Sequence, residues 1–349
     1  MKKTIVIIFA IIVAVIAVWG YLRFVVGGDE DTWLCDNGQW VKHGNPSAAR
    51  PTSGCGNANS TNTNTPATNQ TSTNEQPAPD PGQFNWSTMD QGPYRDKITY
   101  ATGTDLLHWT PSGQILAEHA SVPGAVVKDS TIYVYFVDVS TDGVKEQLGM
   151  VKSTNNGLTW SQPTTLTIVG LGNKATADPA PVLLADGRIR LFYYDINEVR
   201  ISKSAIGNEP PNKIYSAISS DGVSFVQEDG IRFERQGIFD PDVEKVGDTW
   251  YLYGGDIAGN KVIVATSTDG LTFTERGVAY SGGAVPDVWQ ENDKWYLYTA
   301  GINIATSADG LTFASAGIRY EDRDRGNITA DPSVIKLSTG SYMMLYKVK

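Results

Sequence analysis

Five prolines, at positions 123, 179, 241, 286 and 332, each open a strand-like run, and acidic residues flank four of them. The residues before these prolines are Val122, Asp178, Asp240, Val285 and Asp331; those after are Gly124, Ala180, Asp242, Asp287 and Ser333. Side chains on a strand alternate between faces, so positions i and i+2 share one. Five such runs converging on a common axis would gather Asp178, Asp240, Asp242, Asp287 and Asp331 into one narrow ring. Crowded carboxylates raise one another's pKa, so that some keep a proton near neutral pH. Glycoside hydrolysis needs that condition: one acid protonates the leaving oxygen while a base or nucleophile works from the other face of the sugar. Catalytic proton transfer is therefore assigned to Asp178, Asp240 and Asp331. Two other readings stay open. The carboxylates could hold a cation such as Ca²⁺ in the channel, or could cap loops by accepting backbone amide hydrogen bonds. No metal-ligand set and no cofactor follow from the motifs themselves.

The segments leading into these runs carry further polar groups. "ILAEHASVP" holds Glu118 and His119, "GIRFERQGIFDP" holds Arg232, Glu234 and Arg235, and "GIRYEDRDRGNITADP" holds Glu321, Arg323 and Arg325. They are expected at the rim of the same mouth, where a longer Glu side chain could add an acid. Substrate contact is assigned to Asp242, Asp287, His119, Arg235, Arg323 and Trp289, the last as a ring on which a sugar could stack. Strand aromatics such as Tyr193 and Tyr194 also have the simpler role of packing between sheets.

A second phrase recurs between the proline runs and shows what positions them. It reads "ATSTDGLTF" (265–273), "ATSADGLTF" (305–313), "SAISSDGVSF" (216–225), "VKSTNNGLTW" (151–160) and, more loosely, "ATGTDLLHW" (101–109). Asp269 and Gly270 suit a tight turn between two outer strands, because glycine accepts positive φ and aspartate can accept from nearby amides. Phe273, with Phe225, Phe313, Trp160 and Trp109 at the matching places, would close against the blade. The shortest proline spacings are 45 and 46 residues, the size of a four-stranded propeller blade. The last proline run has no such phrase after it, and the first phrase precedes any proline run. The N-terminal piece should therefore complete the last blade, closing the ring and removing open sheet edges. The expectation is an all-β, five-bladed propeller over residues 86–349, with N- and C-terminal strands sharing one blade.

The repeated phrases resemble the Asp-box of sialidases, with "STNNGLTW" (153–160) at full spacing and Asn155 in place of the usual Asp. The shorter copies, the "DP" strand starts and the count of five resemble the five-bladed glycosidases of the arabinanase, invertase and levansucrase type. That resemblance implies a propeller glycoside hydrolase acting through an Asp in the first blade, an Asp in the second and a Glu in the third. This chain departs from it: the first position is Val122 and the third is Asp240. The Phe-Arg-Ile-Pro type motif of sialidases is absent as well.

Ahead of the repeats the composition changes. Lys2 and Lys3 precede an apolar run from Thr4 to Val26 interrupted by Arg23, and Asp29, Glu30 and Asp31 follow. This is about the ~20 residues needed to span a bilayer, and the positive-inside bias turns the remainder outward. A cleaved signal peptide ending near Val15-Ile16-Ala17 is the alternative, but apolar residues continue through Trp19, Leu22, Phe24 and Val26. Residues 1–28 are accordingly assigned as cytoplasmic tip and transmembrane helix. Residues 29–55 form a small segment stapled by Cys35 and Cys55, whose disulfide would contribute roughly 3 kcal/mol in an oxidising compartment. Residues 56–85, rich in Asn, Thr, Ser and Pro, form a disordered linker. The net charge of −10 opposes nucleic-acid binding, which needs a basic surface. The implied partners are carbohydrate and, through the N-terminal helix, the membrane; the implied state is a monomer facing outside the cell.

Overall fold

The computed structural model describes residues 32–36, 39–43, 50, 94–140, 146–198, 210–256, 258–325 and 328–349. The anchor over 1–28, the linker over 56–85 and the Cys35–Cys55 bridge lie outside the described residues. The chain divides into two units, 1–76 and 77–349. In the first, β1 (Thr32–Asp36) and β2 (Gln39–His43) form an antiparallel hairpin with Thr32 opposite His43.

The second unit consists of five sheets, antiparallel except at one outer edge. β3 (Lys97–Gly103) and β4 (Thr110–Glu118) open it. Blade 1 follows as β5 (Ala120–Lys128), β6 (Thr131–Asp138), β7 (Gln147–Ser153) and the short β8 (Thr164–Thr165). Blade 2 contains β10 (Thr176–Leu183), β11 (Ile189–Asp195), β12 (Asn212–Ser219) and β13 (Ser224–Gln227). Its outer edge is extended by β9 (Thr167–Val169), parallel to β13, and β14 (Phe233–Arg235) pairs with β12. Blade 3 is β15 (Ile238–Val246), β16 (Thr249–Asp256), β17 (Lys261–Ser267) and β18 (Thr274–Tyr280). Blade 4 is β19 (Asp287–Glu291), β20 (Lys294–Thr299), β21 (Asn303–Ser307) and β22 (Ala314–Arg319). Blade 5 takes β23 (Thr329–Lys336) and β24 (Tyr342–Val348) from the C-terminus, and β3 and β4 from the other end. Tyr342 lies opposite Gly103 and Val348 opposite Lys97. The ring of five and its closure are as the repeats imply.

The repeated Ser-x-Asp-Gly phrase is a turn held by side chains. The Ser267 hydroxyl donates to Asp269 and accepts from the Asp269 and Gly270 amides. Asp269 Oδ1 in turn accepts from the amides of Leu271 and Thr272. Ser219–Asp221 and Ser307–Asp309 repeat the pattern, and Asn155 replaces the aspartate in blade 1. The aromatic that ends each phrase shares a core cluster with its own blade and also reaches beyond it. It crosses to the preceding one: Phe225 meets Tyr135, Phe273 meets Phe192, Phe313 meets Tyr253, Trp109 meets Tyr298 and Trp160 meets Tyr100, with ring centroids 5.7–6.1 Å apart. Hydrogen bonds follow the same route. Tyr135 donates to the Gly222 carbonyl, Arg190 to Gly270, Tyr253 to Gly310, Tyr298 to Leu106 and Tyr100 to Gly157. All five blade interfaces thus share one device, and edge-to-face aromatic pairs add to the area they bury.

Glycine in this turn meets two demands at once. Gly270 sits at φ +68°, and a Cβ there would lie 2.7 Å from the Trp250 ring, with Arg190 beside it. Gly230, at φ +89°, has nothing within 4 Å of such a Cβ. Ala at 230 should therefore lose about 1 kcal/mol, the left-handed backbone cost. Ala at 270 should lose that plus roughly 1–3 kcal/mol of overpacking. Urea unfolding of Gly270→Ala and Gly230→Ala measures the difference; equal losses would mean that the blade contact is not what the glycine serves.

Candidate functional site

The proline-marked strands β5, β10, β15, β19 and β23 are innermost, and together they line an axial cavity of about 370 Å³. Four of them, β5, β10, β15 and β23, carry a local break at the proline, and β19 begins directly after its own. The residue before the proline adopts positive φ in all five blades: Val122 47°, Asp178 50°, Asp240 45°, Val285 57° and Asp331 51°. Non-glycine residues rarely occupy this region, and β-branched valine least of all. Strand pairing slips at the same point, between Ser121 and Gly124, Ala177 and Ala180, Phe239 and Asp242, and Ala330 and Ser333. These are β-bulges, which insert an extra residue and re-aim a side chain. Proline, lacking an N–H, fits where the ladder is interrupted.

The bulge undoes the period-2 expectation, and the single ring of five carboxylates becomes two tiers. The lower tier knits the blades together. Asp242 accepts from the Val288 amide of the next blade at 2.8 Å, and Asp287 from Val334 at 3.0 Å. Ser333 accepts from Ala125 at 3.0 Å. In blade 1 the position is Gly124, where a Cβ would lie 1.9 Å from the Pro179 carbonyl oxygen. Burial pushes Asp242 up to about 7 and also raises Asp287, which faces Asp242 and Glu244. Glu244, on the same strand as Asp242, is pushed up by burial to about 8.

The upper tier contains Asp178, Asp240 and Asp331. Asp178 and Asp240 are close enough to interact side chain to side chain, a contact that favours a proton on one of the two carboxyls. Burial raises Asp178 to about 6, with Glu146 and Asp331 adding negative charge and Tyr194 donating a hydrogen bond that opposes the rise. Burial raises Asp240 further, and Asp178 adds to it. Asp331 instead meets Lys347 Nζ at 2.7 Å. Lys347 also reaches Asp96 at 3.3 Å. Burial opposes the Lys347 charge, but Asp331 and Asp96 outweigh it and raise its pKa. Among the described residues, no group of three or more His, Cys, Asp or Glu side chains is arranged to hold a metal ion.

The remaining assigned residues divide. Asp242, Asp287 and Trp289 line the cavity together with the three upper-tier aspartates. Trp289 is the central residue of β19, and its Nε1 donates to Glu291. His119, Arg235 and Arg323 are outside the cavity lining, each for a local reason. His119 Nδ1 is 2.8 Å from the Tyr94 carbonyl oxygen. Arg235 pairs with Asp256 and Glu275 at 3.4 Å. Arg323 stands on an exposed turn beside Glu321. Sequence reasoning missed Lys347, Asp96 and Glu146. A lysine in the apolar strand "YMMLYKV" was the available signal for the first; the other two precede their strands without a motif.

The titrations predict an unusual stability profile. Asp178, Asp240, Asp242, Glu244 and Asp287 have folded pKa values above their unfolded ones. The folded chain therefore binds more protons between about pH 4 and 8, and stability falls as pH rises through that window. The turn aspartates oppose this at the acid end: backbone amides hold Asp221 down to about 2 and lower Asp269 and Asp309. Their contribution disappears as pH drops below about 4. Thermal unfolding midpoints between pH 3 and 9 should peak in mild acid, at roughly pH 5; a midpoint that keeps climbing to pH 8 would contradict the buried protons.

No protein-family model matches this chain, and no curated protein matches it. Solved structures do. An α-L-arabinofuranosidase from Clostridium thermocellum is 16% identical with a TM-score of 0.50, over 64% of this chain and 80% of its own. An endo-1,4-β-xylanase from Bacteroides thetaiotaomicron is 18% identical with a TM-score of 0.50, over 65% and 84%. A GH32 β-fructofuranosidase from Bombyx mori is 16% identical with a TM-score of 0.51 over 72% of this chain, which spans 57% of that enzyme. What this chain shares with these propeller glycoside hydrolases is the fold, a closed ring of five β-sheet blades.

Proposed function

We propose that this propeller is a glycoside hydrolase-like domain acting on carbohydrate at the upper-tier mouth, displayed outside the cell as a monomer on a stalk behind an N-terminal membrane anchor. The observation that carries the reading is the juxtaposition of Asp178 and Asp240, two buried carboxyls from neighbouring blades that line the axial cavity and are both raised by burial. A carboxyl that keeps its proton near neutral pH is the group a glycosidic leaving oxygen requires. In this scheme the pair donates that proton. Asp331, oriented by Lys347, faces the developing positive charge of the sugar or guides water to it. The shared fold of the arabinofuranosidase and xylanase supports the reading. The acidic chain, with a net charge of −10, favours a neutral or cationic ligand over nucleic acid.

One feature favours a second reading, a glycan-binding propeller without turnover. Asp178 and Asp240 are in hydrogen-bond contact, closer than the ~5–9.5 Å that separates acid from base or nucleophile in glycosidases. They must therefore act as one unit, and Val122 and Val285 add no carboxyl to the ring.

Assays of the full-length chain on a panel of aryl glycosides and oligosaccharides decide between the two. Asp178→Asn and Asp240→Asn should each lower kcat by about 100-fold or more, the range for loss of a positioned acid. Oligosaccharide binding by calorimetry with no hydrolysis, weakened by the same substitutions, would replace the first reading with the second. Neither turnover nor binding would remove both.

A further inference from the structure

Lys347 occupies a place that neither the aspartate pair nor the blade-joining tier accounts for. It lies on β24 opposite Ala330 of β23 and Ile98 of β3. Its ammonium meets Asp331 Oδ2 at 2.7 Å, Asp96 Oδ2 at 3.3 Å and the Ser121 hydroxyl at 3.3 Å. Ser121 in turn donates to Asp96 Oδ2 at 3.1 Å. The network thus joins three parts of the chain: the C-terminal strands, the segment entering β3, and the first strand of blade 1. Both carboxylates are deeply buried, Asp96 at 2% exposure and Asp331 at 6%. Two anions held by one cation in such a place cost desolvation that an apolar trio would avoid, so stability alone is a weak reason for the arrangement.

We propose that Lys347 is a positioning residue of the mouth: clamped by Asp96 and Ser121, its ammonium holds the Asp331 carboxylate in place and shields the Asp178–Asp240 pair from that negative charge. The electrostatic part stands on the contacts alone; its consequence for turnover rests on the glycoside hydrolase-like reading. The groups facing the pair are Tyr194 from β11, Glu146 ahead of β7, Asp331 from β23 and Lys347 from β24. Asp331 raises Asp240 and Lys347 lowers it. Neutralising the ammonium leaves Asp331 and Asp96 uncompensated, so the pair keeps its proton to higher pH. Neutralising Asp96 has the opposite effect: more of the ammonium's charge acts on Asp331 and the pair, which then loses its proton at lower pH. A lysine whose charge did not reach the pair would give neither shift.

Infrared titration of the full-length chain tests this without a substrate. The protonated-carboxyl band of the pair is identified by its loss in Asp240→Asn, and its midpoint is followed in wild type, Lys347→Gln and Asp96→Asn. Lys347→Gln should raise the midpoint by about one pH unit, a tenfold change in proton affinity, and Asp96→Asn should lower it. Unmoved midpoints, or shifts in the same direction, would overturn the proposal. If Lys347→Gln does not fold, the near-isosteric Asp96→Asn decides by itself: a lower midpoint supports the assignment and an unchanged one ends it. The basic limb of kcat/KM on any glycoside the chain hydrolyses should move with the band. Opposite band shifts in a chain without turnover would leave the positioning role intact and defeat the hydrolase reading; turnover with unmoved bands would do the reverse.

Discussion

A β-sheet blade has two exposed edges and two faces to cover, and in this chain both needs are met by the docking of each outer turn onto the preceding blade. The aromatic that ends the turn covers the neighbour's face, and the turn carbonyl accepts from a neighbour's Tyr or Arg. Five repetitions of one contact produce a ring only if the last blade also meets the first. β3 and β4 make that possible by completing blade 5, where Trp160 of blade 1 reaches Tyr100. A ring formed this way resists local opening, since separating any one pair of blades also exposes an aromatic pair and leaves a buried donor without its acceptor.

Closure is also what creates the acidic mouth. Asp178, Asp240 and Asp331 belong to different blades and are separated by 62 and 91 positions along the chain. Only the convergence of the inner strands brings them within reach of one another, and burial there raises the pKa of Asp178 and Asp240. In blades 1, 2, 3 and 5 a bulge spans the proline. Asp178, Asp240 and Asp331 interact with one another, while Asp242 and Asp287 accept from the backbone of the next blade. Two nearly adjacent aspartates, Asp240 and Asp242, therefore take different tasks on one strand.

Lys347 connects the two themes. It pairs with Asp331 at the mouth and with Asp96 at the head of the strand that closes the ring. The segment that completes the fold thus also sets the charge beside the aspartate pair. The two valines in the ring, Val122 and Val285, make the mouth lopsided, with its carboxyls contributed by blades 2, 3 and 5. That asymmetry distinguishes this chain from the triad implied by its resemblance to five-bladed glycosidases.

The repeats by themselves determined the architecture: blade count, the shared closing blade and the placing of the prolines on the innermost strands. Periodicity and turn chemistry are local properties, and the Ser-x-Asp-Gly phrase encodes its own turn through bonds no more than four residues long. Three things were decided by the tertiary structure. The left-handed residue before each proline broke the alternation that predicted one ring, and no residue type in Val122 or Asp178 announces that conformation. The aromatic of each turn packed across an interface that exists only once blades stand side by side. The ammonium of Lys347 and the carboxylate of Asp96 became partners across 251 positions, because charge pairing in a buried site depends on distance in space and on water being excluded, neither of which a linear pattern records.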